Sequence, residues 1–145
     1  MGETASRQSG TLSPQLEVAM ARQFAGIIGI ILIATGVLGL LLGDQHLLGI
    51  LNIDVVEDVI HLITGGLLAY VGFGQRNESL ARSALTGLGA VYVLVGIIGF
   101  VAPQLFGLLP HGYTTFDNLF HIGLGVVLIV VGRMGRGRDE TVHAR

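Results

Sequence analysis

The stretch FAGIIGIILIATGVLGLLL, residues Phe24–Leu42, carries no charged side chain. A bilayer core about 30 Å thick requires roughly 20 helical residues to cross it. The apolar residues run continuously, without the period-two alternation of a membrane β-strand. A helix also satisfies its own backbone hydrogen bonds in lipid. We therefore predict that this stretch is a membrane-spanning helix.

Three further apolar stretches follow along the chain: Val59–Phe73, Leu85–Ala102 and Leu119–Val131. The first and last of these are short, but each follows a helix-start signal. Asp54-Val-Val-Glu57 and Thr114-Thr-Phe-Asp117 both have the form of a capping box, with an N-cap acceptor and a carboxylate three residues later. Helices over about 54–74 and 114–132 are long enough to span a bilayer.

The composition supports a membrane protein and excludes several other classes. Hydrophobic residues make up 51% of the chain and charged residues 12%, against roughly a quarter charged in soluble domains. The chain contains no cysteine, which excludes disulfides, zinc–thiolate sites and iron–sulfur clusters. The net charge is −2 and there is no basic run, so we expect no nucleic-acid partner.

The basic residues predict the orientation. The chain has no lysine, and its arginines precede helix 1, separate helices 2 and 3, or follow helix 4: Arg7, Arg22, Arg76, Arg82, Arg133, Arg136, Arg138 and Arg145. The positive-inside rule then predicts a multi-pass protein of the plasma (inner) membrane with both termini cytoplasmic. Arg22 and Arg82 are expected to reach lipid phosphates. The loops 43–53 and 102–113 would face outward.

This arrangement divides the chain into three parts. Residues 1–23 are expected to be a polar N-terminal tail, although Ser13-Pro14 is typical of a helix start. Residues 24–132 would form the four-helix transmembrane bundle. Residues 133–145 would be a cytoplasmic C-terminal tail.

The chain also aligns with itself after a shift of 60 residues, because Arg22–Gly72 matches Arg82–Gly132 without a gap. Gly29, Gly36 and Gly39 meet Gly89, Gly96 and Gly99, and His61 meets His121. Two spans separate equivalent points, so both halves have the same orientation in the membrane. The predicted fold is an all-α membrane protein of four transmembrane helices, built as two parallel helical-hairpin repeats at about 22–72 and 82–132. The spaced glycines are expected to line a close contact between helices.

The repeated pattern resembles DUF4383, a family of small four-helix bacterial membrane proteins of unknown function. The residues that carry the resemblance are, in the two halves, Arg22, Leu47-Leu48-Gly49, His61 and Gly65, then Arg82, Leu108, Asn118-Leu-Phe-His121 and Gly125. The first half departs from the pattern, because Asp58 replaces an asparagine and Glu57 replaces a residue that is often histidine. The resemblance implies the four-helix fold over about 22–132 and implies no activity.

The candidate site is a polar cluster at the outer ends of helices 2 and 4: Glu57, Asp58, His61, Asp117, Asn118 and His121. Ionisable residues within membrane spans are costly, so they are functional candidates by default. Glu57 and Asp117 are also expected to cap free N–H groups at the helix starts. The spacing predicts two i, i+4 pairs, Glu57–His61 and Asp117–His121.

Three interpretations of the histidines remain open at this point. Each can fill a polar position in the bundle, bonded to its own-helix carboxylate or to a carbonyl. His61 and His121 can instead bind a divalent metal, or respond to protons, together with the acids. They can also be axial ligands of one b-type haem between helices 2 and 4.

The expected function follows from these alternatives. No nucleophile–base pair, phosphate loop or metalloprotease motif is present. We expect a non-enzymatic structural or interaction protein that needs no cofactor. Its partners would be the lipid bilayer and either other membrane proteins or a second copy of the chain. The alternatives are a redox or metal-binding module at His61 and His121, or a proton or small-molecule sensor at the outer face.

Overall fold

The computed structural model describes residues 14–48 and 50–134, with the side chains of 14–19 and 45–47 left aside. The expected tails before residue 14 and after residue 134, including Arg7, Arg136, Arg138 and Arg145, lie outside the described residues. The elements in chain order are α1 (Pro14–Leu42), β1 (Gln45–Leu47), β2 (Leu51–Ile53), α2 (Val55–Ala69), α3 (Glu78–Val101) and α4 (Thr115–Arg133). A π-helical turn, Tyr70–Gly74, extends α2, and a 3₁₀ turn, Leu105–Gly107, precedes α4.

Four helices are long and apolar enough to cross a membrane, which confirms the predicted multi-pass architecture. The spans are Met20–Leu42, Val55–Gly74, Glu78–Val101 and Thr115–Arg133. Only about a third of each span is buried inside the chain (28–33%). The remaining apolar faces point outward, as expected where lipid is the solvent.

The helix starts explain the element boundaries, with two differences from the prediction. α1 begins at Pro14, so residues 14–23 belong to a helix and not to a separate tail. α4 begins with the expected capping box between Thr114 and Asp117. The capping box predicted at Asp54 is wrong, because the Asp54 side chain accepts from Val56 N at 2.9 Å while Glu57 turns away from the cap.

Glycines bring the helices of each hairpin into backbone contact. On α1, a methyl group at Gly29 would lie 2.7 Å from the carbonyl oxygen of Gly65 on α2. On α3, a methyl group at Gly89 would lie 2.6 Å from the carbonyl oxygen of Gly125 on α4. The same helix contact therefore recurs 60 residues later, and the spaced glycines line a helix interface as expected.

The two hairpins meet mainly through α1 and α3. The core between them consists of buried side chains from all four helices: Ala21, Ala25, Leu32, Leu68, Leu85, Tyr92 and Leu128. In contrast, α1 and α4 touch at few points, and so do α2 and α3. The flank between α1 and α4 is therefore open.

The loop between α1 and α2 contains an unexpected element. β1 and β2 pair as a short antiparallel hairpin, with Gln45 opposite Ile53 and Leu47 opposite Leu51. Asn52 and Ile53 of β2 are buried, and β2 contacts α4. The loop thus closes the end of the bundle at which α2 and α4 begin.

At the opposite end, the expectation for Arg82 is wrong. Arg82 is buried, and its Nε lies 3.4 Å from Oε1 of Glu78, one helical turn earlier. Arg22 donates from Nη2 to the carbonyl oxygen of Gly72 at 3.5 Å. Both arginines therefore contact acceptors of the protein itself, Glu78 for Arg82 and the turn after α2 for Arg22.

Candidate functional site

Polar side chains from β2, α2 and α4 are buried together at the end of the bundle where α2 and α4 begin. The buried members, each at most 7% exposed, are Asn52, Asp54, Glu57, Asp58, Asp117, Asn118 and His121. His61 is half-buried beside them. The structure thus brings all six residues of the predicted cluster to one region and adds Asn52 and Asp54.

Asp117 has a structural role at the start of α4. Its Oδ2 accepts from Thr114 N at 2.8 Å, and its own backbone N–H donates to Thr114 Oγ1 at 3.2 Å, as the capping prediction required. It also accepts from the backbone N–H of Asn52 at 3.1 Å. A side chain on α4 therefore anchors the hairpin loop that precedes α2.

His121 is held in a defined orientation. Its Nδ1 lies 2.7 Å from the carbonyl oxygen of Asp117, and its ring packs against Tyr113 and Tyr92, with centroids 4.9 and 5.5 Å away. Of the two partners predicted for this histidine, its own-helix carboxylate and a carbonyl, the structure shows the carbonyl, since the Asp117 carboxylate is occupied at the cap. A carbonyl oxygen only accepts, so Nδ1 carries the proton and Nε2 is left for another partner.

Glu57 faces across the bundle instead of along its own helix. Its Oε2 accepts from Asn52 Nδ2 at 3.3 Å, and its Oε1 lies 3.7 Å from His121 Nε2. The predicted i, i+4 ion pair with His61 is therefore replaced by a contact between α2 and α4. Local spacing could not indicate this contact, because it depends on how the two hairpins meet.

Glu57, His61 and His121 nevertheless form one group. Each offers a ligating atom, and the three atoms lie within 4.8 Å of one another. Nδ1 of His61 is buried and has no hydrogen-bond partner among the described residues. Two imidazoles and one carboxylate form a donor set that divalent transition metals accept.

Asp58 and Asn118 occupy corresponding positions in the two halves. The Asp58 carboxylate packs against Gly39 on α1, and the Asn118 amide packs against Gly99 on α3, so closely that any side chain at either glycine would overlap it. Oδ2 of Asp58 and Oδ1 of Asn118 are both buried without a partner in the described residues. The two positions therefore share a packing role, but only Asp58 adds an ionisable group.

The cluster borders a cavity of about 490 Å³. The polar end of the cavity includes Asn52, Glu57, Asp58, His61 and His121, while α1 and α4 supply apolar walls. This volume lies within the roughly 300–1,000 Å³ range of small-molecule sites.

Four residues of the site were not predicted as members: Asn52, Asp54, which was predicted only as a helix cap, Tyr92 and Tyr113. Asn52 precedes the Asp54 cap by two residues, and nothing in its spacing indicates burial. Tyr92 lies on α3, where only its polarity at mid-depth could have drawn attention.

Burial raises the pKa of the Tyr113 hydroxyl above its usual value, and the nearby carboxylate of Glu57 raises it further.

Comparison of this chain with known proteins identifies its family. No curated protein and no solved structure gives a significant match. The model of one protein family, described as "Domain of unknown function (DUF4383)", matches residues 22–134. The match covers all four helices apart from the first residues of α1. The chain therefore belongs to the DUF4383 family, as the repeated arginine, glycine and histidine pattern indicated.

Proposed function

We propose that this protein is a membrane-embedded metal-binding module, in which Glu57, His61 and His121 bind one divalent transition-metal ion. The donors come from α2 and α4, so the ion would join the two hairpins at their outer end. No reaction is assigned to the site.

The contact between His121 and Glu57 carries this proposal. Because Nδ1 of His121 faces a carbonyl, Nε2 presents a lone pair to the Glu57 carboxylate, which is also an acceptor. Their separation of 3.7 Å exceeds the 2.7–3.2 Å of an N–H···O hydrogen bond. Two donors on one zinc ion, each about 2.0–2.1 Å from the metal, lie roughly 3.3 Å apart. The observed spacing is close to that value.

The surroundings support the same assignment. The bond from His121 Nδ1 to the Asp117 carbonyl is the kind of second interaction that orients metal-binding histidines. Asn52 similarly orients Glu57 through its amide. The three ligating atoms lie within 4.8 Å of one another and would have to approach one ion.

A b-type haem fits these groups less well. A haem held by His121 Nε2 would need open space beside that nitrogen. Glu57 Oε1, 3.7 Å from the same nitrogen, stands close to the space that the ring would need. A single ion uses this oxygen as a ligand, whereas a haem must displace it.

Metal binding is tested on protein purified in detergent, stripped with chelator and dialysed against zinc. We expect one equivalent per chain in the wild type. His61→Ala, His121→Ala and Glu57→Gln should each weaken binding by more than the roughly 10–100-fold typical of losing an outer-shell partner. His111→Ala, in the exposed outer loop, is the matched control and should bind normally.

Two outcomes would overturn the proposal. The first is zinc binding that is unchanged in all three variants. The second is an absorption spectrum of the purified protein with a Soret band that disappears in His61→Ala and His121→Ala, which would favour the haem. Absence of any stoichiometric metal in a folded sample would favour a non-enzymatic structural or interaction protein. The hydrogen bonds that Asp117 makes to Thr114 and Asn52 suit that role as well.

We propose further that both termini lie in the cytoplasm, with the cluster at the outer face of the plasma membrane. The support is the charge distribution. Every arginine in the described residues lies at one end of the bundle: Arg22, Arg76, Arg82 and Arg133. The buried carboxylates of Asp54, Glu57, Asp58 and Asp117 lie at the other. The recurrence of the glycine contacts after 60 residues supports an origin by duplication of one helical hairpin.

A further inference from the structure

We propose that the cavity between α1 and α4 binds a hydrophobic organic cation, whose charge is recognised by Asp58. This inference does not rest on the metal proposal, since Asp58 is not one of the three proposed metal ligands. It concerns the remainder of the cavity, beyond the contact between Glu57 and His121.

The charges that border the cavity select a cation. Its lining includes the carboxylates of Glu57, Asp58 and Asp117. No arginine is among the described residues that line it, and the chain contains no lysine. A buried carboxylate without a partner is costly, so an occupant that brings positive charge is favoured over a neutral or anionic one.

Among the carboxylates that line the cavity, Asp58 is the one with a buried oxygen that has no partner in the described residues. Asp117 is occupied by the α4 cap, and Glu57 accepts from Asn52. Asp58 is 4% exposed, lines the cavity, and has an oxygen, Oδ2, without a hydrogen bond among the described residues. Gly39 leaves room for this carboxylate beside α1.

The walls of the cavity fit an apolar body with positive charge. Tyr92, Phe116 and Phe120 contribute aromatic rings, and the rings of Phe116 and Phe120 stack with centroids 6.3 Å apart. Aromatic faces attract cations, more strongly when water is excluded. Leu32 and Leu124 extend the apolar lining away from the polar end.

The cavity is open towards the lipid. Ile31 and Leu38 on α1 and Phe116 and Phe120 on α4 line it and are also about half exposed on the flank of the bundle. Because α1 and α4 touch at few points, a membrane-dissolved molecule has lateral access between them. A hydrophobic cation partitions into this region of the bilayer.

The sequence difference between the two halves supports the same inference. Asn118 fills the position equivalent to Asp58 and packs against Gly99 in the same way. The cavity, however, lies on the side of Asp58 and not of Asn118. Of these two equivalent positions, the one that borders this cavity is therefore the one that carries a carboxylate.

The test uses tritiated tetraphenylphosphonium and measures saturable binding to the full chain in detergent with chelator present. Tetraphenylborate, which has a similar shape and the opposite charge, is the competitor that should fail. We expect at least tenfold weaker tetraphenylphosphonium binding in Asp58→Asn, a change that installs the residue of the other half. Leu124→Trp, which fills the cavity, should abolish binding, whereas Val127→Trp on the exposed face of α4 should not.

The outcomes separate this inference from the metal proposal. Unchanged binding in a folded Asp58→Asn protein, or equal competition by tetraphenylborate, would overturn the recognition of a cation. Unchanged binding in Leu124→Trp would overturn the placement in the cavity. Asp58→Asn should weaken phosphonium binding but retain zinc, because Asp58 is not one of the three proposed metal ligands. Either proposal can therefore fail without the other.

Discussion

Gly89 of α3 and Gly125 of α4 face each other so closely that a methyl group on either would lie 2.6 Å from the carbonyl oxygen of the other. Contacts of this kind replace side-chain interdigitation in lipid, where burial of apolar surface gives little driving force between helices. They set the distance between the two helices of the second hairpin, and hence the depth and direction of His121.

Gly89→Ala should therefore destabilise the bundle. The added methyl group meets backbone atoms that cannot rotate away, and overpacking of this kind costs about 1–3 kcal/mol. Gly87→Ala, two residues earlier on the same helix, meets nothing within 4 Å and is the matched control. Thermal unfolding in detergent should show a lower Tm for Gly89→Ala alone. Equal Tm values would contradict the close backbone contact.

Thr114→Ala should weaken both the start of α4 and the outer hairpin loop. The change removes an N-cap, which costs about 0.5–2 kcal/mol, and it also removes the hydrogen bond that Thr114 Oγ1 donates to the Ile50 carbonyl. Hydrogen exchange should accelerate at residues 50–53 as well as 115–118. Asn77→Ala removes the cap of α3 at the other end and should leave residues 50–53 unchanged. If hydrogen exchange at residues 50–53 is equally slow in Thr114→Ala and Asn77→Ala, Thr114 does not stabilise this loop through Ile50.

Tyr113 should make the stability of the folded protein depend on pH in the alkaline range. Burial raises its pKa above the value of about 10 in the unfolded chain, so the folded protein holds the phenol proton more tightly. Its contribution to stability is complete below pH 10 and is lost as the pH rises further. Tyr113→Phe should show a smaller loss of Tm above pH 10 than the wild type. The difference in tyrosinate absorbance between the two proteins should appear only well above pH 10, and its appearance near pH 10 would show that the ring is solvated.

The proposed orientation can be tested with single cysteines, because the chain has none of its own. Leu48→Cys and Leu108→Cys lie at exposed positions of the two outer loops, and Ser79→Cys lies at an exposed position near the start of α3. In intact cells, a membrane-impermeant thiol reagent should label the first two and spare the third. Labelling of Ser79→Cys alone would reverse the orientation.

The sequence alone was sufficient to predict the membrane spans, the helix cap at Thr114 and the involvement of Gly29 and Gly89 in contacts between helices. Each of these depends on local composition or on a period within one helix, and both are visible in a single chain. The strands β1 and β2 were missed because three-residue strands in a partly apolar loop have no periodicity to detect.

The sequence predicted which residues belong to the candidate site but not which of them contact each other. The polar cluster assembled at one depth because Glu57, His61 and His121 occupy similar positions in their helices. Glu57 was paired with His61 because a spacing of four places two side chains next to each other on one helix face. Its contact with His121 depends on the angle between two hairpins. Asn52 enters the site only because the outer loop folds back.

The open flank between α1 and α4 has a consequence for how any occupant of the cavity would be measured. A molecule that arrives sideways is supplied by the hydrocarbon phase, so its effective dose is a mole fraction in the lipid and not a molarity in water. The apparent dissociation constant of such a molecule should therefore change with the amount of bilayer in the sample, even though its contacts with Asp58 and the aromatic rings stay the same.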